Sequence, residues 1–151
     1  MDHMYGKGIG AYRQAGVLTA DPKRLVLMCY EEAIRNLKIA KEKFISRDYE
    51  EKAKALQKAH NIIFALNAAL DFEKGGDIAS NLHALYNYMT CRLLQADLKR
   101  DLRVMDHIIG MLVELKSAWE EILNGQRKDM NPSLHHITDR EKETSRKEMR
   151  A

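Results

Sequence analysis

Proline is nearly missing from this sequence: two occur in 151 residues. A chain with so few breakers can sustain long helices, because proline removes a backbone donor and clashes one turn back. Cysteine is equally scarce, at two, so there is no disulfide framework. Cys29 and Cys91 both fall inside helical patterns, which predicts two reduced, buried thiols. No apolar run approaches the ~18 residues that a transmembrane helix needs, and the N-terminus lacks the apolar stretch of a secretory signal. Charge of one sign is missing as well. Lys and Arg number 25 against 22 Asp and Glu, for a net charge of +3. The signs alternate along the chain rather than forming the basic stripe of a nucleic-acid binder. Nucleic acid and membrane insertion are therefore excluded as expectations.

The motifs of catalysis are absent too. A di-metal carboxylate bundle needs two Glu-x-x-His steps, which put both ligands on one helical face. No glutamate here has His three residues on, and Gln57–His60 is the nearest echo. His60, His83 and His107 occur singly, and His135-His136 lie in a polar stretch. Cys29 and Cys91 have no neighbouring His to activate them, and apolar surroundings raise a thiol's pKa. Gly75-Gly76 lacks the Lys-Ser/Thr of a phosphate-cradling loop. These absences predict no catalytic residue, no metal, no cofactor, no small-molecule substrate and no enzyme.

What is present is helical periodicity. Asp21 or Thr19 caps a first helix with Pro22 in its first turn. Leu25, Met28, Cys29, Ala33, Leu37, Ala40 and Phe44 form its stripe, broadened by Val26, Tyr30 and Ile34. Asp48 with Glu51 is a capping-box-like start for a second helix. Its main face is Ala53, Leu56, His60, Ile63, Asn67 and Leu70, beside a second set of Ile62, Leu66 and Ala69. Gly75-Gly76 reads as the turn to a third helix, capped by Asp77, with Ile78, Leu82, Leu85, Tyr86, Met89, Leu93 and Ala96 on one face. A fourth helix begins near Arg100-Asp101, carries Leu102, Met105, Ile108, Leu112, Leu115 and Trp119, and ends at Asn124-Gly125. Short connections force neighbours to run antiparallel. The expectation is an all-α, up-down-up-down four-helix bundle over residues 21–125. A flexible cap segment (1–20) precedes it, and a polar, partly disordered tail (126–151) follows. The second and third helices carry more apolar surface than one stripe requires, which means either unusually wide burial or an exposed groove for another chain's amphipathic segment.

Several stretches together resemble the FliS family of flagellin export chaperones. They are Met4-Tyr5, Gly10-Ala11-Tyr12, Leu18-Thr19-Ala20-Asp21-Pro22, Leu25 to Met28, Leu66-Asn67, and above all LDFEKGGDIASNLHALYNYM from Leu70 to Met89. The resemblance covers residues 4–123 and departs at Cys29, at Glu31-Glu32 and after Gly125. It implies a cytosolic chaperone that binds the disordered C-terminal segment of flagellin, prevents its premature polymerisation and delivers it to the flagellar type III export gate. Ile62, Leu66, Asn67, Leu70, Leu82, Leu85, Tyr86 and Met89 are the candidate client-binding groove. Ile9 and Tyr12 are the candidate cap over it, with a role in recognition by the export gate. The alternative is a helical adaptor for a folded flagellar partner, which would present a flat apolar patch rimmed with charge.

Overall fold

The computed structural model describes residues 21–127. They form four helices: α1 (Pro22–Ile45), α2 (Tyr49–Ala68), α3 (Phe72–Lys99) and α4 (Leu102–Arg127). No strand occurs among the described residues. By internal contacts the chain groups into two units, residues 1–117 and 118–151; the bundle is described here within the first.

Each helix starts where a side chain can satisfy an orphan backbone N–H. Asp21 accepts from the Arg24 N–H at 2.9 Å with Pro22 in the first turn, as the sequence predicts. Asp48 does the same for Glu51 at 3.3 Å. The third start differs from expectation. Helix α2 ends at Ala68, and Asp71, not Asp77, caps α3 by accepting from the Lys74 N–H at 3.0 Å. Gly76 still interrupts the chain, with φ +53° and ψ −130°, but as a kink inside α3. The backbone there is non-helical, so a short helical turn from Phe72 meets the long helix at the glycine, and the expected break stands although the cap lies before that turn. Gly125 likewise does not stop α4, which runs on to Arg127; its φ is not positive, so it forms no left-handed cap.

The two short turns at the other end of the bundle each use an arginine where glycine is usual: Arg47 at φ 62° and Arg100 at φ 54°. Arg100 lies over the Tyr49 ring at 5.6 Å, which ties one turn to the other. Paired charges show the helix directions. Lys41 meets Asp106 at 2.7 Å and Glu31 meets Lys116 at 3.6 Å, so α1 and α4 are antiparallel. Lys52 with Asp97, and Asn67 with Asn87, do the same for α2 and α3.

Between them lies a core of Leu25, Val26, Tyr30, Leu37, Ile63, Leu66, Tyr86, Met89, Leu93, Met105, Ile108 and Leu112. Val26, Tyr30 and Ile34 are buried along with the main stripe, so α1 is enclosed on more than one side, as expected. On α3 the buried stripe is Ala79, Leu82, Tyr86, Met89, Leu93 and Ala96, and Ile78 is 53% exposed. Ala79, three residues before Leu82 and seven before Tyr86, takes the place on the stripe expected for Ile78. Cys91 departs from expectation as well: Cys29 is buried, but Cys91 is exposed. It lies two residues from both Met89 and Leu93, about 200° round the helix from each, and so faces away from the buried stripe.

Candidate functional site

The spacing of α2 makes two stripes. Ala55, Leu56, Ala59, Ile62, Ile63 and Leu66 are buried. Ala53, Gln57, His60, Phe64 and Asn67, in steps of four, three, four and three, follow one line outside them. The antiparallel helix α3 answers with His83, Asn87, Thr90, Leu94 and Asp97 at the same steps. The two lines border the α2–α3 seam, where a surface groove opens between Ala53–His60 and Leu93–Asp97.

Towards the end near Lys52 the groove deepens into a concavity of about 200 Å³. Ala53, Leu56, Gln57 and His60 line it from α2, and Leu93, Leu94 and Asp97 from α3. Asp97 is held at this end by Lys52, whose ammonium also lies 5.1 Å from the centre of the Phe44 ring. Leu94, in the lining, is 57% exposed, and Phe64, four residues beyond His60 on the same line of α2, is 64% exposed. Exposed apolar side chains of this kind make the face a candidate docking surface.

Towards the other end the groove is polar and internally bonded. Asn67 donates through Nδ2 to Asn87 Oδ1 at 2.9 Å. Asn87 Nδ2 reaches His83 Nε2 at 3.2 Å, and His83 Nδ1 reaches Asn67 Oδ1 at 2.7 Å. The three bonds close a ring if each residue donates once and accepts once. That assigns the imidazole its neutral Nδ1–H tautomer. Phe72 packs edge-on against the His83 ring, with centroids 5.3 Å apart.

The eight residues that the sequence nominates for the groove divide by depth. Leu66, Tyr86 and Met89 have no exposed surface, and Ile62, Leu70 and Leu82 are buried; in this conformation they belong to the core. Leu85 and Asn67 are half-buried, and Asn67 lies directly on the groove line. Ile9 and Tyr12 lie outside the described residues. Gln57, His60, Phe64, His83, Asn87 and Leu94 were not singled out by sequence. The available signal was the regular spacing of the second line of α2, but Gln57 and His60 interrupt its apolar character.

Burial, with a smaller contribution from the Glu32 carboxylate, pushes the Cys29 thiol up to about 11, the reverse of an activated nucleophile. Among the described residues no group of three or more His, Cys, Asp and Glu side chains could hold a metal ion. Among them, too, no helix is long and apolar enough to cross a membrane.

Comparison with known proteins agrees with the fold. Residues 5–126 match the family model described as flagellar protein FliS. The flagellar secretion chaperone FliS of Salmonella typhimurium is 42% identical over 120 residues, 76% of this chain and 89% of that protein. The protein of the same name from Bacillus subtilis is 33% identical over 123 residues, 82% of this chain and 91% of its own. A crystal structure of a bacterial flagellar chaperone superimposes with a TM-score of 0.65 at 20% identity, covering 77% of this chain and 94% of that one. The family match ends at residue 126 and leaves the last 25 residues outside it.

Proposed function

Because this chain belongs to the FliS family of flagellar secretion chaperones, we propose that it is a cytosolic export chaperone for flagellin. It binds the C-terminal segment of flagellin, keeps that segment from polymerising early, and passes the subunit to the flagellar type III export gate. The observation that carries this reading is the groove between α2 and α3, with Leu94 exposed in its lining and Phe64 exposed on the same line of α2. A long groove suits a segment that lies down along two helices. A folded adaptor partner would call for a flat patch rimmed by charge.

Binding a segment with no structure of its own is opposed by the entropy of ordering it, so broad apolar contact is needed to offset that loss. Ile9 and Tyr12 act in this reading as a detachable cap that competes with the client and is then available to the export gate. An internal competitor lowers apparent affinity by the fraction of time the groove is closed.

Isothermal titration with the last ~40–50 residues of the cognate flagellin, followed by circular dichroism of the mixture, tests the proposal. Tight binding with a large negative heat-capacity change is the expected result, since burial of apolar surface produces that sign. No binding by the folded chain overturns it. Deleting residues 1–18 should tighten binding and impair export; unchanged affinity would count against the cap.

A further inference from the structure

The Asn67–His83–Asn87 ring has bonding capacity left over. A carboxamide offers two N–H donors and two acceptor lone pairs. Within the ring Asn67 and Asn87 each use one of each, and His83 uses both ring nitrogens. Each amide therefore keeps one N–H and one lone pair. That is the complement a peptide unit presents.

The ring also fixes how these groups point. Turning Asn67 about its last torsion would set its oxygen against Asn87 Oδ1 and its N–H against His83 Nδ1–H. Turning Asn87 would set N–H against the Asn67 N–H. Phe72 holds the imidazole plane from the side. The two amides are thus oriented before any ligand arrives, and a preorganised contact loses less on binding. His83 and Asn87 are exposed and Asn67 half-buried, so the remaining groups are within reach.

We propose that Asn67 and Asn87, locked by His83, form a main-chain reading element. They hold an extended stretch of the client's backbone at this end of the groove, whatever its side chains. The inference rests on the client reading above. The neutral ring offers donors and acceptors in equal number, which suits a peptide unit and not an anion, for which donors alone would serve. It also selects conformation. Inside a helix the peptide groups are used four residues apart, so only extended chain or a helix end has them open. The contact is lost when that stretch becomes helical, which fits a chaperone that must hold its client short of its final structure. Phe64, on the same line of α2 as Asn67, supplies apolar contact beside it.

The test is a titration series on the full chain. The flagellin C-terminal peptide is compared with versions that each carry one N-methylated backbone amide. Both sets are run against the unaltered protein and the Asn67→Ala/Asn87→Ala double variant, with melting curves to verify folding. At one or two positions N-methylation should weaken binding to the unaltered protein about tenfold, the scale of a hydrogen bond lost with its partner left unpaired. In the double variant that penalty should fall below about twofold. Alanine side chains at the same positions should matter little. A second variant, His83→Phe, keeps the contact with Phe72 and removes both ring nitrogens, and it should show part of the same loss. Equal penalties in all proteins, or no sensitive position, overturn the main-chain element and leave the client reading standing. If the unmodified peptide does not bind the unaltered protein, both fall.

Discussion

The hydroxyls of Tyr30 and Tyr86 are hydrogen-bonded to each other inside the bundle, and neither side chain has exposed surface. The two residues are 56 apart in sequence, on α1 and α3. A polar contact in a low-dielectric core is more demanding than an apolar one, because it is satisfied in only one register. Tyr30→Phe or Tyr86→Phe removes this bond and gives the remaining hydroxyl one partner fewer. Each variant should lose about 1–2 kcal/mol of stability. The double variant should lose less than the sum by about 1 kcal/mol, as a double-mutant cycle from urea unfolding would measure.

Glycine to alanine should act in opposite directions at two sites. Gly76 has φ +53° with ψ −130°, a region that alanine enters only under strain. Gly76→Ala should therefore cost about 1–3 kcal/mol. Gly110 is exposed within α4, and a Cβ there meets nothing within 4 Å. Gly110→Ala should stabilise by about 0.5–1 kcal/mol through helix propensity alone. Thermal melts of the two variants on either side of the unaltered protein are the expected result; a stabilised Gly76→Ala would contradict the kink.

The cysteines should separate by reactivity. A thiol reagent at pH 8 should label Cys91 in the folded chain, and Cys29 only after denaturation, since Cys91 alone is exposed. Burial holds the Cys29 thiol at about 11 against an ordinary 9.0, so the fold favours the neutral form. The associated stability is intact below pH 9 and declines as the pH climbs towards 11, by about 2–3 kcal/mol in all. The stability difference between the unaltered chain and Cys29→Ala should shrink over that window, as unfolding curves at successive pH values would show.

Ion pairs should matter in proportion to burial. The Lys52 side chain is 13% exposed and that of Asp97 33%, and Lys52→Met leaves the carboxylate without its partner. A loss of about 1–2 kcal/mol is expected. Arg35 and Glu32 make a two-bond pair on the surface, at 3.1 and 2.8 Å. Arg35 holds the Glu32 carboxyl below its usual range mainly through those bonds, yet Arg35→Met should change stability by less than about 0.5 kcal/mol. Chemical denaturation of both variants makes the comparison.

Local chemistry made much of this fold readable in advance. A cap is a bond between residues two or three apart, so Asp21 with Pro22 and Asp48 with Glu51 could be found from sequence. The start of α3 was harder because two aspartates, Asp71 and Asp77, precede the same apolar series. The glycine pair favoured the second; the chain caps at the first and still breaks at Gly76, one helical turn later. The groove was hardest. Apolar periodicity identifies what is buried, so it led to Leu66, Tyr86 and Met89, all of them core. The open face is mixed in character, and its most ordered feature joins Asn67 to residues 16 and 20 positions away. Only the pairing of α2 with α3 brings those three together.

The charges between α1 and α4 carry one more consequence. Along α1 an acid, Glu31, comes ten residues before a base, Lys41; along α4 Asp106 comes ten residues before Lys116. Laid head to tail, each acid finds a base. Threaded in the same direction, Glu31 would face Asp106 and Lys41 would face Lys116, two repulsions in place of two attractions. The order of signs is a polarity key of under about 1 kcal/mol per pair, a small bias towards the direction that the short α3–α4 turn already imposes.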